Sequence, residues 1–273
     1  MKICDLHTHS NNSFDAKSSV DDICRAAIER GLYAVAITDH CEAPFIRFGD
    51  DCEFGCFDRL IPQSIADTAA ARKKYAGQLR VIRGLELGEP LDEPDGTARA
   101  LSYGEYDFVL ASVHNIRNMQ DFYYMNYSGV DIDGLLALYF AELEQVAAFP
   151  HFDSLSHLTY PLRYIFKGTG KMPDLSVHSD SIDRIFKILI ENNKALEINV
   201  QGLFRELKTT LPSLPLVRRY RELGGRLITI GTDAHSADMV GVGIKEGIEV
   251  AKAAGFDSYA IYEDHEPVMI EIE

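Results

Sequence analysis

Lys2-Ile3-Cys4-Asp5-Leu6-His7-Thr8-His9 is a short strand-like run that ends in two histidines one residue apart. Side chains two apart along a strand point to the same side, so His7 and His9 aim their imidazoles at one place. Six further runs rich in apolar and β-branched residues follow the same plan: Ala34–Thr38, Arg80–Leu85, Asp107–Val113, Ser154–Leu158, Ala195–Val200 and Arg226–Gly231. They deliver, in turn, Asp39 and His40, Glu86, His114, His157, Glu197 and Asn199, and Asp233 and His235. With helical segments between them, such runs read as parallel strands. An open sheet gathers its ligands near one switch point, whereas a barrel brings the C-terminal ends of all its strands around one mouth. Potential ligands at the end of every run therefore favour a TIM-like α/β barrel of seven strands.

Working outward, the connections carry helix boundary signals. Ser19-Val20-Asp21-Asp22 resembles a capping box and opens a segment that stops at Gly31. Further helices are expected at Pro62–Ala76, Ile132–Ala148, Ser181–Asn192, Leu214–Leu223 and Ile244–Ala254. Tyr259–Asp264 and Pro267–Ile272 read as a short hairpin. Alternating β and α without a composition break argues for a single domain over residues 1–273.

Composition narrows the functional classes. With 46% apolar and 25% charged residues the chain is ordinary globular material, which excludes disorder and collagen-like repeats. No apolar run reaches the roughly 18 residues that a membrane helix needs, and no basic segment leads into an apolar one near Met1, so a cytoplasmic location is expected. Lys and Arg number 27 against 42 Asp and Glu, a formal net charge of −15 that is spread along the chain. Nonspecific binding to nucleic acid or to an anionic membrane is disfavoured, whereas bound divalent cations would offset part of the charge. The five cysteines lack the spacing of a disulfide framework and read as reduced thiols. Cys52 and Cys56 form a C-x3-C pair with no second pair to complete a Cys4 site.

Six of the nine histidines stand at expected strand ends: His7, His9, His40, His114, His157 and His235. Histidines without a shared role would scatter. Together with Glu86, Asp233 and Asp15 they offer more ligands than one catalytic zinc takes, which is about three. Two or three ions sharing a bridging carboxylate would use them, and Glu86 is the natural bridge. Histidine and carboxylate without thiolate suit Zn, Mn or Fe better than Mg or Ca. Asp39 faces away from His40 at strand geometry and is read as orienting a ligand from outside or capping the next segment. His151, His178 and His265, away from strand ends, are read as structural.

Asp5-Leu6-His7-Thr8-His9-Ser10, Ile37-Thr38-Asp39-His40, Gly84-Leu85-Glu86, Ser112-Val113-His114, Ser156-His157-Leu158 and Gly231-Thr232-Asp233-Ala234-His235 resemble, in order, the motifs of the polymerase and histidinol phosphatase (PHP) superfamily. The resemblance covers most of the chain and implies a distorted (β/α)7 barrel with a trinuclear metal site. It implies one ion on His7, His9, Glu86 and Asp233, a second on Glu86, His114 and His157, and a third on Asp15, His40 and His235. The catalytic work would fall to His7, His9, Glu86, Asp233 and His235. Ser156 stands where family members often have glycine. Within the superfamily the chain looks most like monofunctional histidinol-phosphate phosphatases, and the segments around Arg163 and Arg205 resemble those whose arginines hold the substrate phosphate. A surface ion pair is the competing reading for both arginines.

The implied reaction is hydrolysis of L-histidinol phosphate to L-histidinol and phosphate, a step of histidine biosynthesis. Metal ions lower the pKa of bound water toward about 7, so hydroxide can attack phosphorus in line at neutral pH. A different small phosphate ester, such as a nucleotide, is the nearest alternative. Amidohydrolase chemistry would call for a strand-end lysine, which no central strand supplies, and a non-catalytic scaffold would not need the complete ligand set. Two long loops, 41–60 with Phe45, Phe48, Phe54 and Phe57, and 115–130 with Phe122, Tyr123, Tyr124 and Tyr127, read either as lids or as loops anchored by their own aromatics.

Overall fold

The computed structural model of the chain describes residues 2–43 and 57–272. Strands β1 (Cys4–Asp5), β2 (Ala34–Ile37), β3 (His40–Glu42), β4 (Arg80–Gly88), β5 (Phe108–Ser112), β6 (Ser154–Leu155), β7 (Ala195–Asn199) and β8 (Ile228–Gly231) form one parallel sheet. Its order is β1-β2-β4-β5-β6-β7-β8, with β3 also on β4. The first and last strands meet: Leu6 N donates to Ile230 O at 2.9 Å, His9 N to Ala234 O at 2.8 Å and Asp233 N to His7 O at 2.8 Å. The expected α/β barrel is the fold found.

The barrel is distorted where ligands are needed. β2 and β3 pair with β4 in one register, Ala34 opposite Arg80 and His40 opposite Glu86, so they are one strand interrupted at Thr38-Asp39. In the gap Asp39 accepts from Ser10 N at 2.5 Å, Ser10 Oγ at 2.7 Å, Ser13 Oγ at 3.0 Å and Ser64 Oγ at 2.5 Å. Glu86 was expected to end its strand, and here the structure corrects the reading. β4 continues to Gly88 because both its edges stay paired, Glu86 lying between His40 of β3 and Leu110 of β5.

Eight helices are present among the described residues: α1 (Val20–Glu29), α2 (Phe57–Lys74), α3 (Pro94–Ser102), α4 (Ile132–Ala147), α5 (Pro161–Thr169), α6 (Ser179–Glu191), α7 (Leu214–Glu222) and α8 (Ile244–Ala253). The capping box of α1 forms between Ser19 and Asp22. Helices α3 and α5 were not expected from the sequence. Each is short and opens with proline, whose fixed φ suits a first helical position but reads as a loop signal when no long periodic run follows. No described helix is long and apolar enough to cross a membrane. Cys4, Cys24 and Cys41 are buried free thiols, and burial pushes Cys4 up to about 11 and Cys24 up to about 12. Cys52 and Cys56 lie outside the described residues.

The expected hairpin forms as β9 (Ser258–Glu263) and β10 (Glu266–Glu271), turning at Asp264 and His265, both with positive φ. It crosses the end of the barrel where the strands begin. Tyr259 Oη donates to Lys2 O at 2.9 Å, Tyr262 Oη to Asp153 O at 3.4 Å, and His265 Nδ1 lies 2.9 Å from Asp153 Oδ2. The opposite end is left for the polar residues.

Two outcomes follow for stability. Asp5, fully buried, accepts from Thr232 N at 2.9 Å, Thr232 Oγ1 at 2.6 Å and Gly241 N at 2.8 Å across the barrel seam. Asp5→Ala leaves those donors unpaired and should cost about 3 kcal/mol in denaturant unfolding; an unchanged midpoint would show that the seam does not hold the barrel. The Asp153 carboxylate raises the pKa of His265. Its contribution is therefore fully present below about pH 6.5 and is lost as pH rises through the higher folded value. Thermal melts should show His265→Gln destabilised at pH 6, by less than about 1 kcal/mol for this half-exposed pair, and matching the parent at high pH.

Candidate metal centre

Glu86, fully buried, is ringed by five imidazoles from four segments of chain. Its Oε2 lies 3.3 Å from His7 Nε2, 3.4 Å from His9 Nε2 and 2.9 Å from His40 Nδ1. Its Oε1 lies 3.3 Å from His114 Nε2 and 3.0 Å from His157 Nε2. Each oxygen thus faces its own set of nitrogens, as a carboxylate shared by two cations would. Asp233 Oδ1 is 3.3 Å from His9 Nε2 and 3.8 Å from His7 Nε2. Asp233 reaches this position at φ +55°, a left-handed conformation held at a local cost of about 1–3 kcal/mol.

Donor atoms converge in four groups, each with its atoms within 4.8 Å of one another: His7, His9 and Asp233; Glu86, His114 and His157; His9, His40 and His235; and His40, Glu42 and His114. Asp15 stands beside the third, 3.0 Å from His235 Nε2 and 3.8 Å from His40 Nε2. All nine residues read as ligands are therefore brought together. A divalent cation fits them on two physical grounds. Ligands about 2.0–2.2 Å from a tetrahedral ion stand roughly 3.3–3.6 Å apart, close to the spacings around Glu86. Moreover His7 Nε2, His9 Nε2, His40 Nδ1 and Glu86 Oε2 are buried without a hydrogen bond. Unmet buried polar atoms in one cluster call for a shared cation.

Several supporting residues were not assigned from the sequence. Glu197 Oε1 lies 2.7 Å from His7 Nδ1, and because a carboxylate only accepts, the ring donates and turns Nε2 toward Glu86. Its Oε2 accepts from His157 N at 2.8 Å. Gly231 makes room for this pair, since a Cβ there would stand 2.3 Å from His7 Cβ and 2.7 Å from Glu197 Oε1. Glu42 lies 3.3 Å from Nδ1 of both His40 and His114. Strand period carried the signal in both cases: Glu42 is two residues beyond His40, and Glu197 two before Asn199. Asp39 acts from outside as read, through Ser13 Oγ, which lies 3.3 Å from His9 Nδ1. Ser156 joins Ser112 at 2.6 Å, which donates to Glu86 Oε1 at 2.6 Å, so its hydroxyl steadies the Glu86 carboxylate.

The carboxylates and His9 are held in the protonation states that ligation requires. Burial opposes ionisation of Glu86 and Asp233, yet the surrounding histidines hold both carboxyls well below the usual range. Burial, with His40 and His235 nearby, lowers His9 to about 3, so that ring stays neutral. Burial likewise disfavours charge on His7, but Glu197, Glu86 and Asp233 outweigh it and raise its pKa.

A cavity of about 310 Å³ opens on these groups. Arg163, at the start of α5, lines it; its guanidinium bonds Gln201 Oε1, lies 3.5 Å from Asp233 Oδ2 and stacks 4.7 Å over the Tyr160 ring. Arg205 is not brought there. It is exposed just beyond a 3₁₀ turn, Gln201–Phe204, and Gln201 occupies the inward position. Loop 115–130 is both anchored and open: Phe122 and Tyr127 are buried, while Tyr123 and Tyr124 are exposed and line the cavity. In loop 41–60, Phe45, Phe48 and Phe54 lie outside the described residues, and Phe57 is a buried residue of α2 rather than part of a loop. His178 is buried against Phe140, His151 contacts Phe149 and His265 belongs to the far hairpin, so none joins the centre.

Glu197→Gln keeps the side-chain volume but removes the charge that orients His7. Metal titration should show affinity reduced by about 10- to 100-fold, with the fold intact by circular dichroism; parental affinity would mean that Glu197 does not position the ligand.

The chain is similar to known proteins along its whole length. A probable histidinol-phosphatase from Thermotoga maritima is 30% identical over 257 residues, 94% of either chain. A histidinol-phosphatase from Lactococcus lactis subsp. lactis is 28% identical over 96% of this chain and 95% of its own. A crystal structure of histidinol phosphate phosphatase from Lactococcus lactis subsp. lactis, complexed with zinc, L-histidinol and phosphate, superposes with a TM-score of 0.84 at 24% identity, covering 98% of this chain and 99% of that one. The PHP domain family model matches residues 5–201. By that match the chain belongs to the PHP domain family.

Proposed function

We propose that this protein is a metal-dependent phosphomonoesterase that hydrolyses L-histidinol phosphate to L-histidinol and phosphate in the histidine biosynthesis of the cytoplasm. The observation that carries the reading is the buried Glu86 carboxylate with imidazoles on both oxygens. The full-length similarity to histidinol-phosphatases supports the choice of ester. We read the domain as extending over residues 1–273, since Asp233 and His235 lie beyond the matched residues yet face the same cavity.

Two to three ions of Zn, Mn or Fe would be held by His7, His9, Glu86 and Asp233, by Glu86, His114 and His157, and by Asp15, His40 and His235. When bound, such ions supply Lewis acidity toward phosphoryl oxygen and acidify water at neutral pH. The chain's own residues set the geometry. Glu197, directly, and Asp39, through Ser13, fix the two imidazoles that follow the first strand. Arg163 offers a planar fork of N–H donors to a phosphate at the cavity wall, and its stacking on Tyr160 keeps that fork in place. Its pairing with Asp233 links phosphate binding to the ligand set.

Purified protein should contain two or more equivalents of transition metal and release phosphate from L-histidinol phosphate. Chelation should abolish release, and Zn, Mn or Fe should restore it. Transition metal without release from this ester, but with turnover of a nucleotide, would keep the centre and discard the substrate. Arg163→Ala should lower kcat/KM by about 10- to 100-fold through the loss of a charge-assisted contact; an unchanged value would remove the arginine from phosphate binding.

A further inference from the structure

The metal-facing cavity does not end at the metal ligands. It meets a second cavity of about 620 Å³, and Phe14, Glu42, His114, Asp121 and Tyr124 line both. The two ends differ in charge. Arg163 stands with the metal ligands, whereas the second cavity is walled by carboxylates, and its one arginine, Arg117, is already paired with Asp92 at 2.8 Å.

Asp121 sits at the junction. Its Oδ1 accepts from Tyr123 N at 2.6 Å and from Tyr160 Oη at 3.5 Å, and both fix the carboxylate from one side. Tyr160 is also the ring beneath Arg163 and lies 5.0 Å from both His114 and His157, so one side chain spaces the carboxylate from the guanidinium and the imidazoles. The exposed rings of Tyr123 and Tyr124 flank the opening, edge to face at 4.9 Å. A phosphate held by metal ions and Arg163 would direct the rest of its ester toward this carboxylate and these rings. Both attract positive charge, the aromatic faces through their quadrupoles.

Resting on the phosphomonoesterase reading, we propose that Asp121 receives a cationic nitrogen on the alcohol portion of the substrate and makes the site selective for phosphate monoesters with a positively charged leaving group. Burial raises the Asp121 pKa, in keeping with a carboxylate that gains by pairing. The neighbouring acids Glu42, Glu89, Asp92 and Glu93 strengthen the selection because an anionic alcohol would meet a wall rich in carboxylates beyond the metal site.

Steady-state kinetics of the metal-loaded enzyme test this with L-histidinol phosphate, O-phosphoethanolamine and phenyl phosphate. The parent enzyme should prefer the two cationic esters; equal or better turnover of phenyl phosphate would overturn the proposal whether or not any variant folds. Asp121→Asn should lower kcat/KM for L-histidinol phosphate by about 10- to 100-fold, chiefly through KM, and weaken product inhibition by L-histidinol to match. The loss with phenyl phosphate should be at least about tenfold smaller, and Asp121→Glu should recover part of the preference. Equal losses on cationic and neutral esters, or no loss on L-histidinol phosphate, would overturn it. If the parent ignores L-histidinol phosphate yet favours O-phosphoethanolamine in an Asp121-dependent way, the substrate reading fails and this inference stands.

Discussion

A carboxylate buried among imidazoles governs this molecule. Removing an ionised Glu86 from water costs several kcal/mol unless charge is returned to it. Here the return comes chiefly from His7, His40 and His114, all within 3.3 Å. The departures from a regular barrel serve that cluster. β2 breaks so that the chain re-enters beside Glu86 as β3. Asp233 takes a left-handed conformation, and position 231 lacks a side chain so that β8 can lie against His7.

Around the donors stands an outer set of acceptors. Glu197, Glu42 and Ser13 contact the Nδ1 atoms of His7, His114 and His9 and thereby fix ring orientation. This layering accounts for part of the acidic excess of the chain. Carboxylates that would repel one another in an empty pocket become compatible once cations lie between them. The same acidity, continued past Asp121, turns the remainder of the pocket away from anionic alcohols.

The barrel and the convergence of its strand-end histidines and acids were legible because both rest on short-range regularities. Period two placed His7 with His9, and apolar runs ending in polar residues implied a common rim; Asp233 and His235 reach that rim through the left-handed turn at Asp233 rather than by strand alternation. What stayed hidden depended on tertiary pairing. Glu86 looked like a strand terminus because nothing local reveals that β3 and β5 prolong β4. Glu197 was visible as a strand-end acid, while Glu42 fell within the segment read as loop 41–60; their partners come from 190 and 72 residues away, distances over which no periodicity speaks. Arg205 and Arg163 read alike in sequence; the 3₁₀ turn after β7 exposes one, and the opening of α5 buries the other. Helices α3 and α5 were missed because their first residue, proline, signals a loop as readily as a helix start.

The seam between β1 and β8 joins Asp5 to Thr232, 227 positions apart. Ribosomes release the first histidines long before the last strand exists, so the growing polypeptide carries a half-built basin of imidazoles that nothing encloses. Contacts of such long range form slowly. Cation capture in full therefore belongs to the finished barrel, and a polypeptide stalled before its eighth strand would carry most of the donors without ever closing the vessel that arranges them.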